Sequence, residues 1–208
     1  MGIGKRQVVE APIMGIERHR MNVDGKGITT LVLFSGCPLH CKYCINDNCH
    51  IINNETISTV RLYNYAKQDE LYYMATGGGI CFGGGEPLLW SDFIYDFCKM
   101  IPPTWKITIE TSLHVEFDYW KHIAALMDLF IIDIKTLDAD IYHKYTGGSL
   151  NLVLSNLINL KQYVNTDKII IRVPQIPSFT NKNDQEATIN ELRQLGFKDI
   201  DCFEYTLI

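Results

Sequence analysis

The chain has 208 residues, 47% of them apolar, and 19 Lys and Arg against 24 Asp and Glu give a formal net charge of −5. That length buries one sizeable core and argues against a second full domain. The basic residues are scattered rather than bunched into a stripe, which argues against a nucleic-acid partner. No charged leader with a following apolar segment opens the sequence, and no apolar run approaches the roughly 18 residues of a membrane span, so the expectation is a cytoplasmic protein with no membrane partner.

In chain order, residues 1–27 read as an N-terminal extension in which 13–21 forms an extra extended strand or a plug. Short, nearly continuous apolar runs follow at 30–34, 80–82, 106–109, 129–132, 168–173 and 200–205, the pattern of buried parallel strands. Between them, helical spacing is predicted at 58–75, 91–100, 116–127, 150–163 and 184–195, with Ser58, Ser91 and Asp184 as N-caps and Gly196 ending the last helix. Alternating strands and helices imply βαβ units around a parallel sheet. Six strands are too few for a closed eight-stranded barrel of about 250 residues. The expectation is an α/β chain whose residues 28–208 form an open (β/α)6 partial barrel. Tyr63, Tyr65, Tyr72, Tyr73, Phe93 and Phe97 fall on predicted helices and read as packing.

Seven cysteines is an odd number, and three of them, Cys37, Cys41 and Cys44, share one short window. That fits a metal site in a reducing compartment better than a disulfide framework. Their spacing can bring three thiolates to one centre and leave a fourth position open, as in a cubane iron–sulfur cluster held by three cysteines. The alternative is a structural metal site completed by Cys49, His40 or His50. Cys81, Cys98 and Cys202 lie in apolar stretches and read as buried small hydrophobes. Cys49 shares a polar loop with Asp47, Asn48 and His50.

Barrel-type folds gather their sites at the C-terminal ends of strands. The cysteine loop follows the first core strand, Gly83 to Pro87 the second, Glu110, Thr111 and Ser112 the third, Asp133 and Lys135 close the fourth, and Arg172 the fifth. All of these groups are therefore expected at one mouth. The glycines free backbone groups for a ligand, or else form a plain tight turn. Asp133 and Lys135 alternate along a strand and so share a face. They suit a zwitterionic ligand between them, or else pair with each other. Arg172 reads as a carboxylate clamp or a solvated surface residue. His114, His122 and His143 read as surface or cap residues.

With Tyr43 before Cys44, the cysteine run matches CxxxCxΦC with an aromatic Φ, and the chain resembles the radical S-adenosylmethionine (SAM) enzymes. It looks most like the activating enzymes of glycyl-radical enzymes, of the pyruvate formate-lyase activase type. Asp24-Gly25-Lys26-Gly27-Ile28 echoes that subgroup's DGPGIR, with Lys26 and Thr29 where Pro and Arg are preferred. Gly84-Gly85-Glu86-Pro87 matches its GGE motif and Asp133-Ile134-Lys135 its DxK. The resemblance implies the partial-barrel fold and one [4Fe-4S] cluster on Cys37, Cys41 and Cys44, with Cys49 left over. It implies SAM contacts from Tyr43, Cys44, Ile45, Gly84, Gly85, Glu86, Thr111, Asp133, Ile134, Lys135 and Arg172. In the activases an Asp-Thr pair joins the DxK aspartate in a monovalent-cation site. Glu110 here lengthens that side chain and puts the cation in doubt, and Thr206 stands where the activases carry a histidine. The implied partners are a glycyl-radical enzyme as protein substrate and flavodoxin or ferredoxin as electron donor. Ending soon after the sixth strand favours a macromolecular substrate over a roofed small molecule. The rival readings are a radical SAM enzyme acting on a peptide or small metabolite, resembling the deazaguanine synthases, and an iron–sulfur redox sensor or electron carrier.

Overall fold

A computed structural model describes residues 9–51 and 55–205. Its strands are β1 (Glu10–Met21), β2 (Ile28–Phe34), β3 (Thr56–Ser58), β4 (Gly79–Gly84), β5 (Lys106–Thr111), β6 (Leu129–Asp133), β7 (Ile169–Gln175) and β8 (Ile200–Glu204). They form one open sheet in the order β3-β1-β2-β4-β5-β6-β7-β8. The six strands from β2 to β8 are parallel neighbours, as expected. The extension at 13–21 is a strand rather than a plug: β1 runs antiparallel to β2, with Ile16 opposite Val32.

Helices α1 (Thr59–Ala66), α2 (Glu70–Thr76), α3 (Ser91–Cys98), α4 (Phe117–Ala124), α5 (Ala139–Thr146), α6 (Leu150–Leu160) and α7 (Lys182–Gln194) connect them. Alternate strand residues, among them Val32, Phe34, Ile80, Phe82, Ile107, Ile109, Phe130, Ile132, Ile171 and Val173, are buried in the hydrophobic core with residues of these helices. The interleaved residues Glu110, Asp133 and Arg172 are left for the concave side. Period-two alternation thus separates a core face from a chemical face on every central strand.

Several local expectations are corrected. The helix at 58–75 is two helices, broken by a 3-10 turn at Lys67–Asp69. Ser58 does cap α1, accepting from the Arg61 amide. Ser91 instead begins α3 directly after a 3-10 turn, and its hydroxyl donates to the Tyr119 carbonyl. Asn181 caps α7, with Asp184 as the third residue of a capping box. Tyr73, Phe93 and Phe97 are core residues, but Tyr65 and Tyr72 are exposed. Cys81 is buried, Cys98 half-buried and Cys202 exposed, because β8 is an edge strand paired on one side only. Helix α5 was not predicted, since its short sequence is largely polar. Its ends were legible: the Asp138 side chain accepts from the Ile141 amide, and Gly147 terminates it in the left-handed conformation.

The loop between β1 and β2 closes the barrel floor. Arg20 Nε donates to Asp24 at 2.5 Å, and Asp24 is buried. Gly25 has φ +120° and lies where a Cβ would stand 2.7 Å from Thr108 Oγ1. Position 25 therefore requires glycine on two counts. A second polar lock centres on the fully buried side chain of Asp69, which accepts from Arg18, from His19 at 2.9 Å and from Thr30 at 3.3 Å.

Burial opposes the charge of Asp69, but its bonds from Arg18 and His19 hold the carboxyl below its ordinary value. A depressed carboxylate stabilises the fold above the unfolded value, about 3.9, and that contribution disappears as pH falls through the folded value. Asp69→Asn should lower the melting temperature at pH 7 and flatten the acid limb of a pH–stability profile. An unchanged acid limb would show that the lock does not report on Asp69.

Candidate active site

The cysteine loop follows β2 and is held from two sides by backbone contacts. The His40 amide donates to Thr146 O at 2.8 Å and the Lys42 amide to Tyr145 O at 3.1 Å, so the end of α5 carries one edge. On the other edge the Glu86 amide donates to Gly36 O and the Gly36 amide to Cys49 O, each at 2.7 Å. The approach is so close that a Cβ on Gly85 would sit 2.1 Å from Gly36 O. That explains the glycine run: it is where two loops meet backbone to backbone. Tyr43 is an anchor, its ring 6.0 Å from Phe179 and 6.1 Å from Tyr145.

A cavity of about 520 Å³ opens at the C-terminal ends of the strands. Cys37, Cys41, Cys44, Ile45, Gly84, Gly85, Thr111, Asp133, Lys135 and Arg172 all line it, so one mouth gathers most of the predicted residues. Tyr43, Glu86 and Ile134 do not line it, and Ile134 is a core residue. Among the described residues no three His, Cys, Asp or Glu side chains converge on a point as they would around a single metal ion. The exposed rings of His40 and His50 stack on each other at 4.3 Å. Cys49 is buried although its neighbours Asp47, Asn48 and His50 in the same polar turn are exposed. Burial pushes the Cys41 and Cys49 thiols up to about 11, and Cys37 higher still.

Glu86 has no exposed surface. Its carboxylate accepts from Thr111 Oγ1 at 2.6 Å, Ser112 Oγ at 2.6 Å, the Ser112 amide at 3.0 Å and the Leu88 amide at 3.2 Å. Burial raises its pKa, and the donors from Ser112 and Thr111 pull it partly back. The carboxylate clamps the loop after β4 to the loop after β5. Thr111 Oγ1 is committed to that clamp and also accepts from the Leu113 amide.

The charged groups of the cavity pair with one another. Lys135 Nζ lies 3.3 Å from Asp133 Oδ2 and donates to Tyr205 OH at 3.4 Å. Burial opposes the ammonium, and Asp133 more than offsets that, so Lys135 is held above its ordinary value. Arg172 is half-buried and paired: its Nη1 donates to Glu110 at 2.8 Å and its Nη2 to Val23 O at 2.8 Å. Burial pushes Glu110 up to about 7, with Asp24 and Asp133 adding to the rise and Arg172 opposing it. The three histidines serve local structure. His114 accepts from the Ser149 amide, His122 faces Asp92 and His143 meets Gly148 O. Thr206 lies outside the described residues.

The sequence reading missed Tyr205, Phe203 and Asp201, which all line the cavity. The alternation of Asp201 and Phe203 on β8 was the available signal, and Tyr205 follows the strand directly. Asn46 was also missed, whereas Ser112 lines the cavity as expected. The Asn46 amide donates to Gly84 O at 2.9 Å.

Residues 31–206 match the family model described as the radical SAM superfamily. The chain belongs to the radical SAM superfamily. It is 27% identical over 256 aligned positions to the (2S)-3-sulfopropanediol dehydratase activating enzyme of Klebsiella oxytoca, covering 89% of this chain and 78% of that one. It is 33% identical over 126 residues to the pyruvate formate-lyase-activating enzyme of Clostridium pasteurianum, covering 60% and 53%. Among solved structures, Streptococcus suis SuiB bound to S-adenosylmethionine superposes with a TM-score of 0.66 at 12% identity, over 86% of this chain and 42% of that one. This chain thus spans about half of the pasteurianum protein and less than half of SuiB.

The superfamily's cofactors are a [4Fe-4S] cluster and SAM, and this radical SAM site suits both. Three thiols stand around one cavity without converging on a point. An ammonium and a carboxylate face the same space.

Removing the Glu86 carboxylate leaves the buried Thr111 hydroxyl and Leu88 amide without this acceptor, each costing about 1–3 kcal/mol. Glu86→Ala should therefore lose several kcal/mol in urea denaturation, and near-native stability would contradict the clamp. Glu110 has the opposite sign to Asp69, because a raised carboxylate costs stability as pH rises from the unfolded value of 4.5 to about 7. Glu110→Gln should gain on the native protein across that window, read from melting temperatures at each pH. A constant difference would contradict the raised value.

Proposed function

We propose that this radical SAM protein cleaves SAM reductively and uses the product radical to install a glycyl radical on a partner enzyme. The observation that carries the reading is the meeting of three loop thiols with a charge pair, its lysine buried, in one open cavity at the strand ends. The activating enzymes to which the chain is similar support the choice of a protein substrate. Bound cofactors would supply one-electron cleavage of the SAM carbon–sulfur bond, with an electron from flavodoxin or ferredoxin, releasing methionine and turning a glycine Cα–H into a carbon radical as 5′-deoxyadenosine forms.

The chain's own groups orient and shield. Cys37, Cys41 and Cys44, each half-buried, would hold the cluster. Lys135 would face a carboxylate and Asp133 an ammonium, so a zwitterion replaces their mutual contact with two complementary ones. Arg172, already tied to Glu110 and Val23, would act as a fixed positive wall rather than a mobile clamp. Its pairing also fills the neighbourhood in which the activases place a monovalent cation. Val23, Ile45 and Phe203 border the cavity with exposed apolar surface. A glycine-bearing segment has little bulk, so it could enter there and displace water.

The test is anaerobic. Protein with a rebuilt cluster is reduced, given SAM and a glycyl-radical enzyme, and assayed for 5′-deoxyadenosine and for the glycyl-radical EPR signal. Lys135→Ala should weaken SAM binding roughly tenfold to hundredfold, the worth of one charged hydrogen bond. Turnover of a small molecule without any protein partner would favour the metabolite reading, and a cluster spectrum indifferent to SAM would favour a redox carrier.

A further inference from the structure

Tyr205 follows β8 directly, and its amide donates to Gln175 O at 3.0 Å, which ties its backbone to the end of β7. Its side chain lines the cavity, as does that of Lys135. Two contacts join them. The Lys135 ammonium donates to the Tyr205 hydroxyl at 3.4 Å and stands 5.7 Å from the centre of the Tyr205 ring. The Phe203 ring, also on the cavity wall, lies 5.9 Å from that of Tyr205.

Lys135 is only 8% exposed, and its ammonium ends a four-carbon side chain whose rotamers are costly to fix. Its other partner is Asp133, with Oδ2 at 3.3 Å. The two partners differ in kind. A carboxylate neutralises the ammonium and competes with an acidic ligand for it. A phenol is uncharged: its ring face attracts a cation and its oxygen accepts a hydrogen bond, so it fixes the ammonium and leaves the charge for a ligand. With Tyr205 in place the ammonium is held at the cavity before a ligand arrives, and less side-chain freedom is lost on binding.

We propose that Tyr205 is a positioning residue for recognition of the SAM carboxylate: it acts through Lys135, pre-setting the ammonium at the cavity, and does not itself touch the ligand. This role rests on SAM binding in this cavity, part of the function proposed above, and not on the identity of the partner enzyme.

SAM binding to protein with a rebuilt cluster is measured anaerobically by calorimetry, without reductant, so that no turnover occurs. Tyr205→Phe removes the hydroxyl alone and should weaken binding roughly twofold to tenfold, and Tyr205→Leu removes ring and hydroxyl and should weaken it further. In a Lys135→Ala background both changes should leave the affinity within about twofold, because the residue through which Tyr205 acts is gone. An equal loss in both backgrounds would show that Tyr205 contacts SAM itself, and no loss in either would leave it a packing residue; each result overturns the inference. The cluster-free protein gives a second readout. Acetylation of Lys135, followed by mass spectrometry against the exposed Lys198, should be faster in Tyr205→Leu than in the native protein, and an unchanged rate would also overturn it. A native protein with a rebuilt cluster that binds no SAM ends both this inference and the proposed function. The expected coupling without an activase reaction ends only the proposed function.

Discussion

The buried carboxylate of Glu86 is the constraint on which the rest of the mouth depends. Four donors from two different loops converge on it, and its own backbone amide reaches the first loop at Gly36 O. Three strand ends are therefore fixed relative to one another through one residue. Burying a carboxylate is costly unless its lone pairs are filled, and here each oxygen takes two bonds. The contact of Gly85 with Gly36 O is available only because position 85 has no side chain. A cluster site needs its ligands held before the cofactor arrives, and this clamp holds the strand ends around them.

The concave side solves a related problem with charges. Asp24, Glu110 and Asp133 face Arg20, Arg172 and Lys135, so the barrel interior carries both signs in compensating pairs. These pairs differ in what they give a ligand. Arg172 has both ends occupied and works as scaffold, whereas Lys135 has one carboxylate and one phenol at longer range and can exchange them. Of the two cations, Lys135 is therefore the more exchangeable and Arg172 the more fixed. It also accounts for the tolerance of Glu at position 110, where an arginine meets the longer carboxylate.

Access follows from the open sheet. A closed barrel has no edges, but among the described residues β8 pairs with β7 alone, and its residues after Ile200 are exposed. The cavity consequently has a wall of alternating β8 residues beside an apolar rim.

Much of this was legible in the sequence. Hydrophobic runs gave the six parallel strands, because a strand buried on both faces leaves a continuous apolar signature. The cysteine spacing, the glycine run and the alternation of Asp133 with Lys135 marked the site, because metal ligation, close backbone approach and strand periodicity each demand particular residues at particular intervals. What needed the tertiary structure was which polar group meets which. Glu86 reads in sequence like a ligand contact and is a structural clamp, because the partners that consume it lie 25 and 26 residues away. Arg172 reads as free and is held by Val23, 149 residues distant. Cys49 reads as polar loop and is buried, and α5 passed unnoticed though it supports the cysteine loop. Local sequence encodes which residues can bond. Only the closing of the sheet decides which of them are near enough to do so.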